Sequence, residues 1–428
     1  MVSKAKIDKA GKLLASEQYS DEEYIEADDI FNEYRESHLK PLTDITAKIQ
    51  SWMDEFPSVY YMAYRLKRRP QILRKLLRFT TRLSQLQDIG GCRIIVEDNQ
   101  KVDAVQTLIN KKLKRSDFFK IKHITDYRDK GRDITGYRAV HLIVERDGRT
   151  LEIQIRSRMQ HYWAESIERT SVIYRHNLKE MDGHEEVLHY FKVTSDIFYE
   201  LECGHQITPE KKIAVNRLRN EAERIIKQSV GYEILHSNIG EKFIAAMESA
   251  EYKVNRKIQN WLLIFDWKTG NFQNWQRIDT KKPEEISKTY VQSEKRFSAD
   301  DGYEVVIVGA SDVATIRRTH SHYFGIESYE SILDNLEDAV GYLRKSKKLS
   351  ERATMLLFRL SSHGFWGKKY VSIDTVKNHY NINSKDAELG SAIDELMALK
   401  MINYNNPKGT ISLNLKEKKE IMNCIYCI

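Results

Sequence analysis

The chain has 428 residues, 41% of them hydrophobic and 31% charged, with six prolines and a formal charge of +7. This composition excludes a disordered chain, and the length exceeds what one core usually serves, so two or three domains are expected. No apolar run is long enough to cross a bilayer and the amino terminus has no signal-peptide pattern, so a cytoplasmic protein without membrane attachment is expected, its mild cationic surplus compatible with phosphate ligands.

In chain order, apolar residues at helical spacing over 20–56 (Tyr24, Ile25, Phe31, Leu39, Ile45, Ile49) predict one or two amphipathic helices. A strand follows between Pro57 and Pro70, then a helix from Ile72 to Leu86, a buried strand Cys92–Glu97 and a helix Asn99–Leu113. Lys120–Asp126, Tyr137–Arg146 and Leu151–Arg156 read as strands, the last two joined by the hairpin turn Asp147-Gly148. Helices are expected at Met159–Arg175 and within 185–235. Two apolar strands at 260–267 and 304–309, separated by a helix over 283–297, predict a small α/β module. After the basic linker 344–348, three helices (350–361, 372–380, 390–400) and a hairpin around 405–409 predict a winged helix. The expected domains are thus 1–235, 240–335 and 345–428.

Three groups of residues carry chemistry. Arg65, Lys67, Arg68, Arg69, Arg74, Lys75, Arg78 and Arg82 crowd one tract without an acid, a pattern suited to polyphosphate, although a solvated helix face would also read this way. Asp88 precedes a buried strand, where a carboxylate can hold magnesium or simply form a turn with Gly90 and Gly91. Glu152, Gln154 and Arg156 share one face of a strand by its period of two, and Tyr137 and His141 share a face of its partner. Of the four cysteines, Cys424 and Cys427 have C-x-x-C spacing with no second pair, which reads better as a terminal tail than as a metal site. His320-Ser321-His322 reads as an exposed loop.

Together, Arg65-Leu66-Lys67 with Lys75, Asp88-x-x-Gly91-x-Arg93, Gly136-Tyr137-Arg138-x-x-His141 and Glu152-Ile153-Gln154-Ile155-Arg156 resemble the synthetase domain of the RelA/SpoT alarmone synthetases, in order and spacing across about residues 20–235. The resemblance implies an α+β, nucleotidyltransferase-like mixed sheet with flanking helices, ahead of the small α/β module and winged helix. It implies an ATP-dependent, magnesium-assisted pyrophosphokinase that moves the β,γ-pyrophosphate of ATP to a ribose 3′-hydroxyl and releases AMP. On that basis Arg65, Lys67, Arg74, Lys75 and Arg93 bind ATP phosphates, while Asp88 and Glu152 are the catalytic and metal-holding acids. Tyr137 stacks on the acceptor base, and Arg138, His141, Gln154 and Arg156 support the acceptor or phosphates.

Two departures bear on the acceptor. The family's Pro-Lys-x-Asn lead-in to Gly-Tyr is replaced by Arg132-Asp133-Ile134-Thr135, an acid where a cation is usual. No His-Asp metal motif of the family's hydrolase domain precedes the synthetase segment. The resemblance implies GDP or GTP as the acceptor, with the 3′ end of tRNA in a toxin-like enzyme as the alternative. A nucleotide-sensing winged-helix regulator without turnover is the further alternative. The third winged-helix helix carries Asp394 and Glu395, which favours a protein partner or autoregulation over DNA. Self-association is left open.

Overall fold

A computed structural model describes residues 2–16, 19–53, 56–58, 60–132, 135–228, 259–266, 271–278, 283–298, 301–310, 349–362, 364–379, 386–418 and 420–421, with 247, 313, 316 and 424 singly. The chain forms two compact units, one of residues 1–54 with 61–329 and one of 55–60 with 330–428. The basic linker, the His320–His322 pair and Cys427 lie outside the described residues. Among the described residues no helix is long and apolar enough to cross a membrane.

The first unit opens with α1 (Lys4–Ser16), α2 (Asp21–Glu36) and α3 (Leu39–Met53). Then come β1 (Tyr60–Leu66), α4 (Arg69–Arg78), β2 (Gly90–Val96), α5 (Asn99–Lys114), β3 (Lys120–Asp126), β4 (Val140–Arg146) and β5 (Arg149–Ser157). It continues through α6 (Arg158–Tyr174), α7 (Glu185–Glu202), α8 (Pro209–Lys227), β6 (Gln259–Asp266), β7 (Asn271–Ile278), α9 (Pro283–Arg296) and β8 (Tyr303–Ala310). Local chemistry sets several boundaries. Ser20 and Ser157 start α2 and α6 through reciprocal capping boxes with Glu23 and Gln160. Pro70 opens α4 in its first turn, where a missing N–H costs nothing. Asp147 and Gly148 both take positive φ, 51° and 70°, the backbone of the expected tight hairpin turn.

All eight strands belong to one sheet, in the order β3-β4-β5-β2-β1-β8-β6-β7, with β2 parallel to β5 and β3–β4–β5 antiparallel. The mixed sheet with flanking helices is as expected. The separate α/β module is not: β8 pairs with β1 through Ala63–Ala310 and Tyr64–Gly309, so β6, β7 and β8 extend the same sheet. Their apolar faces find a partner in β1 and do not close on themselves. Ala63 packs with Trp261, Leu263, Phe265, Val306 and Val308 in one core cluster. Strand β7 went unread because Asn-Phe-Gln-Asn-Trp-Gln-Arg-Ile at a sheet edge shows little hydrophobic alternation. Helix α1 went unread because its buried stripe is built partly of small residues, Ala10, Gly11 and Ala15. The helix expected to run to Leu86 ends at Arg78, its last carbonyls meeting Phe79 in extended geometry.

Gly309 fixes the junction. A Cβ placed there would lie 1.8 Å from the Tyr64 ring, and Tyr64 is itself 2% exposed. Gly309→Ala is therefore expected to destabilise the first unit by about 1–3 kcal/mol, the usual range for overpacking. Urea unfolding of the full chain checks this, and an unchanged midpoint would mean that β1 and β8 do not pack as described.

The second unit contains α10 (Glu351–Ser362), β9 (Val371–Ser372), α11 (Ile373–His379), α12 (Asp386–Ala398), β10 (Ile402–Asn405) and β11 (Thr410–Leu413). Its three strands form an antiparallel sheet in the order β10-β11-β9. Ala353, Leu356, Leu357, Leu360, Leu396, Ile411 and Leu413 are fully or nearly fully buried.

Candidate active site

The site lies on the polar face of the central strands. Register places His141, Gln154 and Arg93 side by side across β4, β5 and β2, and Ile143, Glu152 and Gly91 in the next row. Leu151, Ile153 and Ile155 point to the other face, where they are fully buried. The alternation in Leu-Glu-Ile-Gln-Ile-Arg thus drives three polar side chains into one cleft. Gly91 carries no side chain beside Glu152; a Cβ there would lie 3.1 Å from the Glu152 carbonyl oxygen.

Asp88 closes one side of this floor. Its Oδ2 accepts from Lys67 Nζ at 2.7 Å and Lys75 Nζ at 2.8 Å. Burial works against its charge, but the two ammonium groups hold the carboxyl well below the usual carboxylate range. Its other oxygen, Oδ1, is buried and accepts no hydrogen bond among the described residues. An ionised carboxylate with an open, buried oxygen suits a divalent cation, and magnesium needs only one or two carboxylates plus substrate phosphates. No group of three His, Cys, Asp or Glu side chains able to hold a metal occurs among the described residues. Any ion here would therefore rest on Asp88, Glu152 and its ligand.

Glu152 faces Asp88 closely enough for the charge of Asp88 to push its pKa up. The net shift is nevertheless downward: burial and Asp88 oppose ionisation, while His141 and Gln154 favour it more strongly. His141 Nδ1 meets Glu152 Oε1 at 2.7 Å, and Gln154 Nε2 donates to Oε2 at 2.6 Å. The other imidazole nitrogen, Nε2, lies 2.7 Å from the Tyr137 hydroxyl, which also accepts from Arg156 Nη2 at 2.6 Å. Arg156 Nη2 reaches Gln154 Oε1 at 2.9 Å as well, so five side chains form one buried network. Burial raises the Tyr137 phenol, yet the cations of Arg156 and His141 bring it below the normal phenol range.

Burial opposes a charged His141, but Tyr137 and Glu152 raise it from 6.5 to about 9. A raised folded value means that this charge stabilises fully below about pH 6.5 and that the contribution fades as pH climbs through about 9. His141→Gln is accordingly expected to lose stability relative to the parent most at pH 6, with the gap narrowing by pH 9.5. Denaturation midpoints across that range check it; a gap that widens with pH would mean the imidazole is neutral.

Several expected residues converge here. Arg93 is half-buried, its Nη1 lies 3.4 Å from Glu165 Oε1, and desolvation first, then Arg156, lowers it to about 10. The charge of Arg65 reaches Arg93. Arg74 is not brought onto the acidic pair: it is 45% exposed, with Nε 3.8 Å from Glu180 Oε1. It lines a cavity of about 1120 Å³ together with Lys179 and Glu168.

Two expectations need correction. Arg138 turns away from the acceptor side: Nε donates to Ser195 Oγ at 3.1 Å, Nη1 to the carbonyls of Arg128 and Asp129, and Nη2 to Asp196. It ties a loop to α7, because one residue along an extended chain reverses the side-chain direction. Tyr137 is 4% exposed, with the Arg132 and Arg156 guanidinium carbons 4.4 and 4.8 Å from its ring centroid. Its ring is already in contact with two guanidinium groups, which leaves it little free surface on which a base could stack.

Sequence reading missed Lys179, Glu165 and Glu168. Lys179 pairs with Glu168 and is depressed by burial, with Arg156 and Arg93 adding to the effect. The available signal was that Glu165 and Glu168 share α6 with Trp163, Ala164 and Ile167, where acids interrupt a buried face.

Residues 64–179 match the family model described as a region found in RelA / SpoT proteins. No curated protein matches the chain. Among solved structures, the small alarmone synthetase 2 from Bacillus subtilis is similar at 22% identity, covering 42% of this chain and 95% of that one with a TM-score of 0.32. The small alarmone synthetase 1 from Bacillus subtilis bound to its product pppGpp gives 19%, 43%, 93% and 0.32. The complex of the Type VI effector Tas1 with its immunity protein gives 16%, 46%, 96% and 0.24. Asp88, Glu152 and their cations all lie inside the matched segment, so the candidate site falls in the part of the chain that resembles RelA / SpoT proteins.

Proposed function

We propose that the chain transfers the β,γ-pyrophosphate of ATP to the 3′-hydroxyl of GDP or GTP. The observation that carries this reading is Asp88, with one oxygen on two lysines and the other open, facing Glu152 across a floor that holds the buried Arg156 and the half-buried Arg93. Arg93, Arg156, Lys67 and Lys75 would bind the donor phosphates, with Arg65 and Arg74 at the margin. Asp88, with Glu152 opposite, would hold magnesium, which when bound neutralises charge on the transferred group. Glu152, held ionised by His141, would take the proton as the acceptor oxygen bonds to the β-phosphorus. The bond from that phosphorus to the α–β bridging oxygen breaks, and AMP leaves. Such transfer needs positioning and electrostatic stabilisation more than covalent catalysis.

A second reading, with the 3′ end of tRNA as acceptor, rests on a separate surface. Lys111, Lys114, Arg115, Lys120 and Lys122 are exposed at the end of α5 and on the edge strand β3, beside exposed Phe118. Cations with an exposed ring suit a nucleic-acid backbone and its bases. γ-Labelled ATP supplied with GDP, GTP or bulk tRNA decides between them by where the label lands. Label on none of the three would leave a nucleotide sensor.

We read the second unit as a winged helix, from its helix–strand–helix–helix–hairpin order. With Asp394 and Glu395 on α12, we assign it to a protein partner or to autoregulation. Removing residues 345–428 is expected to change the transfer rate; an unchanged rate would remove that role.

A further inference from the structure

The sheet extension bears on the donor site through one buried side chain. Arg35, on α2, is 3% exposed and divides its guanidinium between two parts of the fold. Nε donates to the Lys67 carbonyl at 2.8 Å, Nη1 reaches Glu294 Oε2 at 2.7 Å, and Nη2 donates to the Tyr290 hydroxyl. Glu294 and Tyr290 belong to α9, which packs on β8 and α3. Lys67 itself donates its backbone N–H to Ile89 at 2.7 Å and its ammonium to Asp88 at 2.7 Å. Its backbone is thus held on one side by Ile89, next to the metal-facing acid just ahead of β2, and on the other by the extension. The adjoining Arg68 is paired with Glu304 of β8.

We propose that the sheet extension, β6 to β8 with α9, is a positioning element for the donor site, acting through Arg35 to fix Lys67 against Asp88. This rests on the donor-site reading above. Arg35 touches no donor atom in this scheme; it is a positioning residue. Its planar fork suits the task, since three fixed donors restrain one carbonyl and two side chains at once. A rearrangement of α9 would release Lys67 and leave one ammonium on Asp88 in place of two. The extension can therefore set donor affinity from outside the cleft.

The test is calorimetry of the full chain with Mg2+ and a non-hydrolysable ATP analogue, without acceptor. Parent protein is expected to bind. Glu294→Gln with Tyr290→Phe is expected to bind about tenfold more weakly, and Glu294→Gln alone about threefold. Glu294 is 25% exposed, so the single variant keeps its fold if the double does not. Tyr64→Phe cuts a different tie to the extension, the hydrogen bond to Asn260, and is expected to lower the melting temperature without weakening the analogue. Unchanged affinity in the Glu294 variants would overturn the proposal, as would equal weakening in Tyr64→Phe. A parent protein that binds no analogue would overturn the donor-site reading and this inference with it.

Discussion

Asp88→Asn is expected to reduce AMP release at least about a thousandfold while leaving the folded state intact. The size follows from what the substitution removes. Asparagine keeps the shape and can still accept from one lysine, but it has no charge to share among Lys67, Lys75 and a divalent ion. Losing one preorganised electrostatic contact of this kind typically costs about 2.7–4 kcal/mol of barrier. Losing the ion as well adds to that. Near-normal AMP release by the variant would remove Asp88 from the chemistry. Circular dichroism separates this result from misfolding, and nucleotide affinity separates lost binding from a lost step. Glu152→Gln should behave differently. Its hydrogen bonds to His141 and Gln154 engage both carboxylate oxygens, so its loss should fall on the rate more than on metal affinity.

The contrast between these acids was only partly legible in the sequence. Period-two alternation placed Glu152, Gln154 and Arg156 on one face, and the structure keeps them there. Asp88 was visible because it stands just before a buried strand, but its two lysines were visible only as part of a charge tract. Arg65, Arg68, Arg69, Arg74 and Lys75 look alike in sequence; tertiary packing sends Arg68 to Glu304, Arg69 to Asp28 and Lys75 to Asp88. Motif membership also misled at Arg138, which neighbours Tyr137 in the chain and faces α7 in space. The sheet extension was hidden for another reason. Strands β6 and β8 read correctly as apolar, but nothing local to a strand names the partner it pairs with, and the Ala63 that faces Ala310 lies 247 positions earlier in the chain.

Arg156→Met is expected to cut transfer about a hundredfold or more without destabilising the unliganded protein. Arg156 is 2% exposed, and among the described residues its Nε and Nη1 make no hydrogen bond. Only Nη2 is engaged, by Tyr137 and Gln154, and Arg93 lies close enough to be depressed by its charge. A buried cation with unmet donors beside a second cation costs stability, and an apolar side chain of similar length removes that cost. The same unmet donors are what an incoming phosphate would satisfy, with two charge-assisted hydrogen bonds in place of none. The variant should therefore melt at or above the parent temperature, while transfer falls about a hundredfold or more. A lower melting temperature with transfer retained would assign Arg156 to the scaffold. A higher melting temperature with transfer lost would mean that this cleft holds instability in reserve for its anionic ligand.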